Sequence, residues 1–197
     1  MSGPLHLHGI RAVADDGADA GAPAHPRHPA ALLPAARVPD AVRSLTTAGS
    51  TTVFVSGCFD LLHAGHAAHL VQASTLGDTL VVGLHDDASA ARRAGPGRPV
   101  DSLVDRARVV GAFGCVDFVV VFADDTPLRL LAALRPVIYA KGGDYAGERL
   151  PEMDLVEQYG GQVRILDYFA DESPGSLVER IAWNAHDEAR TAARGTS

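Results

Sequence analysis

Gly57-Cys58-Phe59-Asp60-Leu61-Leu62-His63-Ala64-Gly65-His66 lies between the β-branched run Thr52-Val53-Phe54-Val55-Ser56 and a segment that carries Ala67, Leu70, Val71 and Ser74 at helical spacing. A strand, a sharp turn at glycine and a helix are expected in that order, with Gly77 ending the helix. Glycine at the turn lets a phosphate approach the backbone closely. His63 and His66 lie three apart and so share one helix face. The first N–H groups of the helix and its positive dipole end favour an anion at the same place. Gly65 removes a side chain that would stand in the way. These residues read as two imidazoles and a backbone cradle aimed at one polyphosphate.

Outward from this stretch, strands and helices alternate. Thr79-Leu80-Val81-Val82-Gly83-Leu84 is apolar nearly throughout, as suits a strand covered on both faces. Residues 102–113 read as a helix with Leu103, Ala107, Val110 and either Ala112 or Phe113 inward. Phe118 to Phe122 form a third strand. Pro127 opens a helix that closes before Pro136. Val137-Ile138-Tyr139-Ala140 and Val163-Arg164-Ile165-Leu166 are strands four and five, and a last helix runs from about Ser173 to Arg190. The pattern predicts an α/β fold: a Rossmann-like, doubly wound, five-stranded parallel sheet in a single domain. Ligands of such sheets bind beyond the C-terminal strand ends. The chemically interesting residues obey that rule: Gly57 to His66 follow strand one, Asp86 strand two, Asp124 to Thr126 strand three and Lys141 to Asp144 strand four, and Ser173 opens the helix after strand five.

The 197 residues suffice for one domain, with 47% hydrophobic and 21% charged side chains. Residues 1–38 are rich in Gly, Ala, Pro, Asp and His, and are expected to form a disordered N-terminal extension. Residues 39–190 are expected to be the folded domain and 191–197 a C-terminal tail. The histidines of the extension (His6, His8, His25, His28) read as part of a solvated tail. A formal net charge of −7 argues against a nucleic-acid partner. Two cysteines, Cys58 and Cys115, exclude a disulfide scaffold and suit a reducing compartment. No apolar run reaches the roughly 20 residues that span a bilayer, and no secretory pattern opens the chain. A cytoplasmic protein with no membrane partner is therefore expected.

The segment Gly57 to His66 resembles the signature of the HxGH nucleotidyltransferase superfamily, which includes cytidylyltransferases and several adenylyltransferases. The resemblance extends through Arg98-Pro99-Val100, Asp105-Arg106, the run Val116 to Phe122, Asp125-Thr126-Pro127 and Lys141-Gly142-Gly143-Asp144-Tyr145. In that order and spacing these segments are similar to the heptose 1-phosphate adenylyltransferase domain of bacterial ADP-heptose synthesis, over about residues 50–183. The resemblance implies transfer of AMP from ATP to a sugar 1-phosphate, by attack of the acceptor phosphate on the α-phosphorus and departure of pyrophosphate. It implies His63, His66 and Lys141 as catalytic residues. Gly57, Cys58, Phe59, Gly65, Gly142, Asp144, Ser173 and Ser176 would bind the nucleotide, and Asp60, Asp86 and Arg98 the acceptor. Magnesium is implied as a cofactor, bridging phosphate oxygens, with no protein ligand assigned. A homodimer is permitted. Bifunctional members of the group carry a sugar kinase domain ahead of this one, so in a heptose pathway a separate sugar kinase is the expected partner.

Two further readings accompany the first. One is a cytidylyltransferase acting on glycerol 3-phosphate or another small phosphate or phosphonate. The other is a nucleotide-binding protein without turnover, because Ser173-Pro174-Gly175-Ser176 stands where the group commonly has Ser-Thr-Thr. Ser173 keeps an N-cap hydroxyl and Pro174 suits a first helical position, but two hydroxyls and one N–H donor are missing.

Several single residues carry two readings. Lys141, the only lysine in the chain, is either a phosphate contact or a surface residue. Asp86 either meets acceptor hydroxyls or caps the next short helix. Arg92, Arg93 and Arg98 flank a Gly-Pro-Gly segment that is either a loop over the acceptor or a solvated basic loop. Arg106 lies in a helix and is either part of the resemblance through Asp105-Arg106 or, in the plainer reading, in a surface ion pair with Asp105 or a neighbour. His85 either lines the acceptor pocket or is a plain loop residue. His63, His66 and His69 lack a cysteine or carboxylate to complete a zinc set, which leaves His69 as a packing or exposed residue. Cys58 is read as a small buried residue rather than a nucleophile, and Trp183 as packing or a subunit contact. The chain has no P-loop.

Overall fold

The computed structural model describes residues 48–145 and 149–167, with Ala31–Leu33, residues 40, 42, 44 and 147, and Trp183. In chain order the elements are β1 (Ala31–Leu33), β2 (Thr52–Gly57), α1 (Ala64–Ser74), β3 (Thr79–His85), α2 (Asp87–Ala94), α3 (Leu103–Gly111), β4 (Phe118–Phe122), α4 (Leu128–Leu134), β5 (Ile138–Lys141), a 3-10 turn (Gly143–Tyr145), α5 (Pro151–Gln158) and β6 (Gln162–Ile165). All neighbouring strands are parallel, in the order β1-β4-β3-β2-β5-β6.

Burial explains the composition of the central strands. β3 is buried along its whole length, and β2 from Thr52 to Val55. Val53, Val55, Leu80 and Val82 pack on one face with Leu70 of α1 and Ala107 and Val110 of α3. Phe54, Val81, Val120 and Tyr139 pack on the other with Leu131 of α4 and Val156 of α5. The period-2 alternation of strand side chains thus feeds two cores, with helices over both faces. On α1 the buried positions are Leu70 and Ala73, whereas Val71 faces out. On α3 it is Phe113, just past the helix, and not Ala112 that packs inward.

The five expected strands are present, and a sixth joins them. Ala31–Leu33 was expected within the disordered extension, but it pairs with Phe118–Val120 of β4. Its sequence carries no β-branched residue or alternation. Backbone pairing with an existing strand edge demands neither, which is why the strand is invisible to pattern reading. The short helices α2 and α5 also went unplaced by periodicity. The helix expected over about 173–190 lies outside the described residues apart from Trp183, which is exposed.

From β2 the chain moves outward to β3 and β4, then returns to the far side of β2 for β5 and β6. The reversal falls between β2 and β5, so the loops leaving Gly57 and Lys141 diverge over one crevice. The opposite end of the sheet is pinned. The Thr51 amide donates to Asp78 at 2.7 Å, the Leu80 amide to Asp117 at 2.7 Å and the Val137 amide to the Thr52 hydroxyl at 3.2 Å.

Candidate active site

The turn after β2 is held in an uncommon conformation. Phe59 and Leu61 both adopt positive φ, +49° and +47°. For residues other than glycine this is costly unless the surroundings enforce it. Here they do. Cys58 gives its carbonyl to Arg106 Nη1 at 2.6 Å. The Asp60 carboxylate accepts from Arg98 Nη1 at 2.8 Å and from the amides of Val100 and Asp101 at 2.9 and 3.0 Å. Burial works against the Asp60 charge, but the Asp101 amide, Arg98 and the Val100 amide hold its carboxyl below the usual range. A Cβ on Gly57 would stand 3.0 Å from the Phe59 ring, so this glycine makes room for the turn itself.

The two histidines come together as the spacing predicts. His63 caps α1, its Nδ1 accepting from the Gly65 amide at 3.2 Å. In the neutral ring that leaves the proton on Nε2. The His66 ring lies 4.0 Å from the His63 ring and 5.3 Å from Phe59, centroid to centroid. Burial, reinforced by the charges of His63 and His69, depresses His66 to about 4. Its Nδ1 is buried with no hydrogen-bond partner among the described residues. A buried polar atom left this way is a position for a ligand to satisfy.

Across the crevice, Lys141 ends β5 almost fully buried, its ammonium 3.4 Å from Glu152 of α5 and 4.1 Å from the centre of the Tyr145 ring. The surface reading of this lysine is excluded. Burial lowers its pKa, and the Glu152 charge partly restores it. Gly142 faces α1: among the described residues a Cβ there would meet only His69 Nδ1, at 3.9 Å. The Lys141-Gly142 turn therefore approaches the same helix that carries His63 and His66. Asp144 lies in the 3-10 turn, its side chain outside the described part. Ser173 and Ser176 lie outside the described residues altogether.

The acceptor-side residues behave differently. Asp86 caps α2, accepting from the Ser89 amide at 2.7 Å, so the capping alternative holds. Asp60 and Arg98 bind each other and anchor the segment before α3, a connection that the sequence did not reveal. Arg92 pairs with Asp125 at 2.6 Å and donates to the Ala123 carbonyl, while Arg93 donates to the Asp125 carbonyl at 2.9 Å. These two arginines end α2 and are fastened to the β4–α4 turn, so they do not form a loose basic loop. His85 is buried, bonded to the Ser89 hydroxyl at 3.1 Å and packed on Phe122, and burial lowers it to about 4. Burial raises the Cys58 thiol despite Arg93 and Arg106, which keeps it protonated.

Arg106 is the largest correction. It forms no surface pair with Asp105, which instead meets Arg108 and Ser102. Its guanidinium is fully buried and donates to the carbonyls of Cys58, His85 and Asp101 and to the Asp87 carboxylate. One side chain thus ties together the loops after β2 and β3 and the start of α3. Position 106 lies three after Leu103 and four before Val110, on the face already read as inward; helical spacing carried the signal.

The chain matches the cytidylyltransferase-like family over residues 54–163. It is 51% identical over 133 residues to the bifunctional protein HldE of Syntrophotalea carbinolica, which covers 68% of this chain and 27% of the relative. With the bifunctional protein HldE of Streptomyces coelicolor it shares 48% over 174 residues, 88% of this chain and 38% of the relative. The chain thus spans between about a quarter and two-fifths of the length of these relatives. Among solved structures, a lipopolysaccharide core biosynthesis protein from Thermoplasma volcanium superposes with a TM-score of 0.51 at 25% identity, covering 61% of this chain and 97% of that one. Pantoate-beta-alanine ligase from Francisella tularensis gives a TM-score of 0.50 at 11% identity over 74% of this chain and 69% of its own, a likeness of fold alone. The family match, together with the HldE relatives, places the chain among enzymes of the nucleotidyltransferase type. The chain belongs to the cytidylyltransferase-like family. No helix among the described residues is long and apolar enough to cross a membrane.

Proposed function

We propose that this chain transfers AMP from ATP to a sugar 1-phosphate, with heptose 1-phosphate the first candidate, giving an ADP-sugar and pyrophosphate. The observation that carries the reading is the approach of the Lys141-Gly142 turn to the histidine helix α1 across the strand-order reversal. The fuller resemblance to heptose 1-phosphate adenylyltransferases, through Lys141 to Tyr145, favours ATP over CTP.

An acceptor phosphate oxygen attacks the α-phosphorus, and the bond to the β-phosphate oxygen breaks. Charge builds on the transferring group in between. His66, with its buried Nδ1 awaiting a partner, and His63, with its proton on Nε2, supply directed polarity at the start of α1. Lys141 supplies a full positive charge from the other side. Arg106 and Asp60 hold the turn that presents the histidines. The activity is positioning and electrostatics, without a covalent enzyme intermediate. Among the described residues no group of three His, Cys, Asp or Glu side chains is placed to hold a metal. A magnesium ion bound with the triphosphate would neutralise phosphate charge. The reading implies a supply of sugar 1-phosphate, for which a separate sugar kinase is the candidate in a heptose pathway.

The test is pyrophosphate release with ATP or CTP against a panel of sugar 1-phosphates, glycerol 3-phosphate and small phosphonates. Release with ATP and a heptose 1-phosphate supports the proposal. A preference for CTP with glycerol 3-phosphate selects the cytidylyltransferase reading. Tight nucleotide binding without release from any pairing selects a binding protein without turnover.

A further inference from the structure

Lys141 and Glu152 form a pair that neither periodicity nor motif spacing anticipates. Both side chains are almost entirely withdrawn from water, 8% and 7% exposed, with nitrogen and oxygen 3.4 Å apart. They come from different elements: Lys141 ends β5 and Glu152 sits in the first turn of α5, just after Pro151. The Tyr145 ring lies 4.1 Å from the ammonium and the Tyr139 ring 5.7 Å. Tyr139 in turn reaches the Ser56 hydroxyl at 3.5 Å, at the end of β2. The ammonium thus has aromatic faces around it and one carboxylate to balance it.

We propose that Glu152 is the positioning residue for Lys141: it keeps the ammonium charged in a dry setting and fixes it at the mouth of the crevice for a polyphosphate. The inference rests on the reading of the crevice as a triphosphate site, but its first half is independent of that reading. Glu152 touches no reacting atom. A lysine buried without a counter-charge neutralises instead of remaining an ammonium. The groups that bear on it can be named from each neighbouring element. Glu152 of α5 favours the charge; Arg93 of α2 opposes it; the Tyr139 and Tyr145 rings offer their negative faces; His85 of β3 lies within electrostatic reach. Glu152 is the only full negative charge among these, so removing it leaves burial and Arg93 to act against the ammonium.

The chain's composition makes the test unusually direct, because Lys141 is its only lysine. Lysine labelled with 13C at Cε gives one side-chain signal whose pH titration is that of Lys141 alone. In Glu152→Gln the midpoint should fall by about one pH unit or more, a tenfold change in the protonation equilibrium. The alkaline limb of kcat/KM for the nucleotide should move down with it. Equal midpoints in the two proteins would overturn the proposal whatever the enzyme's substrate is. A shifted midpoint with no response of the signal to added inorganic tripolyphosphate would overturn the polyphosphate half only. If Glu152→Gln does not fold, the pair is tested through Lys141→Met, Glu152→Leu and their combination. The double variant should recover folding that each single one loses, as an apolar pair replacing a buried ionic one does. Losses that simply add would overturn the pairing.

Discussion

Arg106 on α3 reaches 2.6 Å to the carbonyl of Cys58, forty-eight positions back, and so holds the turn that leads into His63. The same guanidinium takes up the carbonyls of His85 and Asp101. Arg106→Met should leave these buried acceptors without their donor and lower stability by about 3–5 kcal/mol, read from urea unfolding. Arg106→Lys should recover only part of that loss, since an ammonium cannot fork to several acceptors.

His66→Ala should leave the fold intact and reduce kcat by about 10²–10³-fold, with nucleotide affinity little changed. Steady-state pyrophosphate release and calorimetric nucleotide binding read the two quantities separately. Undiminished turnover would remove His66 from the mechanism.

Acid should destabilise the protein through two buried rings. His66 and His85 are both held at about 4 against an ordinary 6.5. The unfolded chain therefore binds more protons between those values. The stability they contribute is complete above the ordinary value and is lost as the pH falls through the folded one. Melting temperature should decline over that window, and His66→Asn or His85→Asn should each flatten the decline. Identical slopes in all three proteins would contradict this.

Asp60 fastens the segment around Gly95-Pro96-Gly97 through Arg98, Val100 and Asp101. Asp60→Asn loses the ion pair with Arg98. The segment should then become the first site of limited proteolysis, while the wild type resists at the same protease concentration. Mass spectrometry of the first fragments locates the cut.

Two glycines provide a contrast. A Cβ at Gly77 would stand 2.5 Å from the Thr51 carbonyl oxygen, whereas one at Gly114 meets nothing within 4 Å among the described residues. Gly77→Ala should cost about 1–3 kcal/mol. Gly114→Ala should be neutral within about 0.5 kcal/mol. Thermal unfolding of the pair decides.

The parallel sheet was legible because β3 and β4 are continuous apolar runs, and because proline and glycine mark the ends of α1 and α4. The histidine pair was legible because spacing along one helix is local information. What escaped depends on partners distant in sequence. β1 pairs with β4 through its backbone, and Ala31-Leu32-Leu33 carries no β-branched residue or alternation to announce it. Glu152 lies eleven positions from Lys141 on another element, and nothing local links them. Asp60 and Arg98 pair across thirty-eight positions, and no local pattern joins them. Arg106 is the exception: its place on the inward stripe of α3 was readable, and only the habit of assigning arginine to the surface hid it.

The pins at the foot of the sheet, Thr51 to Asp78, Leu80 to Asp117 and Val137 to Thr52, have a consequence for how such a protein changes over time. They anchor strand starts without help from the loops at the opposite pole. A lineage can therefore rewrite the segments after Gly57, His85 and Lys141, and with them the molecule to be modified, while inheriting the foundation unaltered.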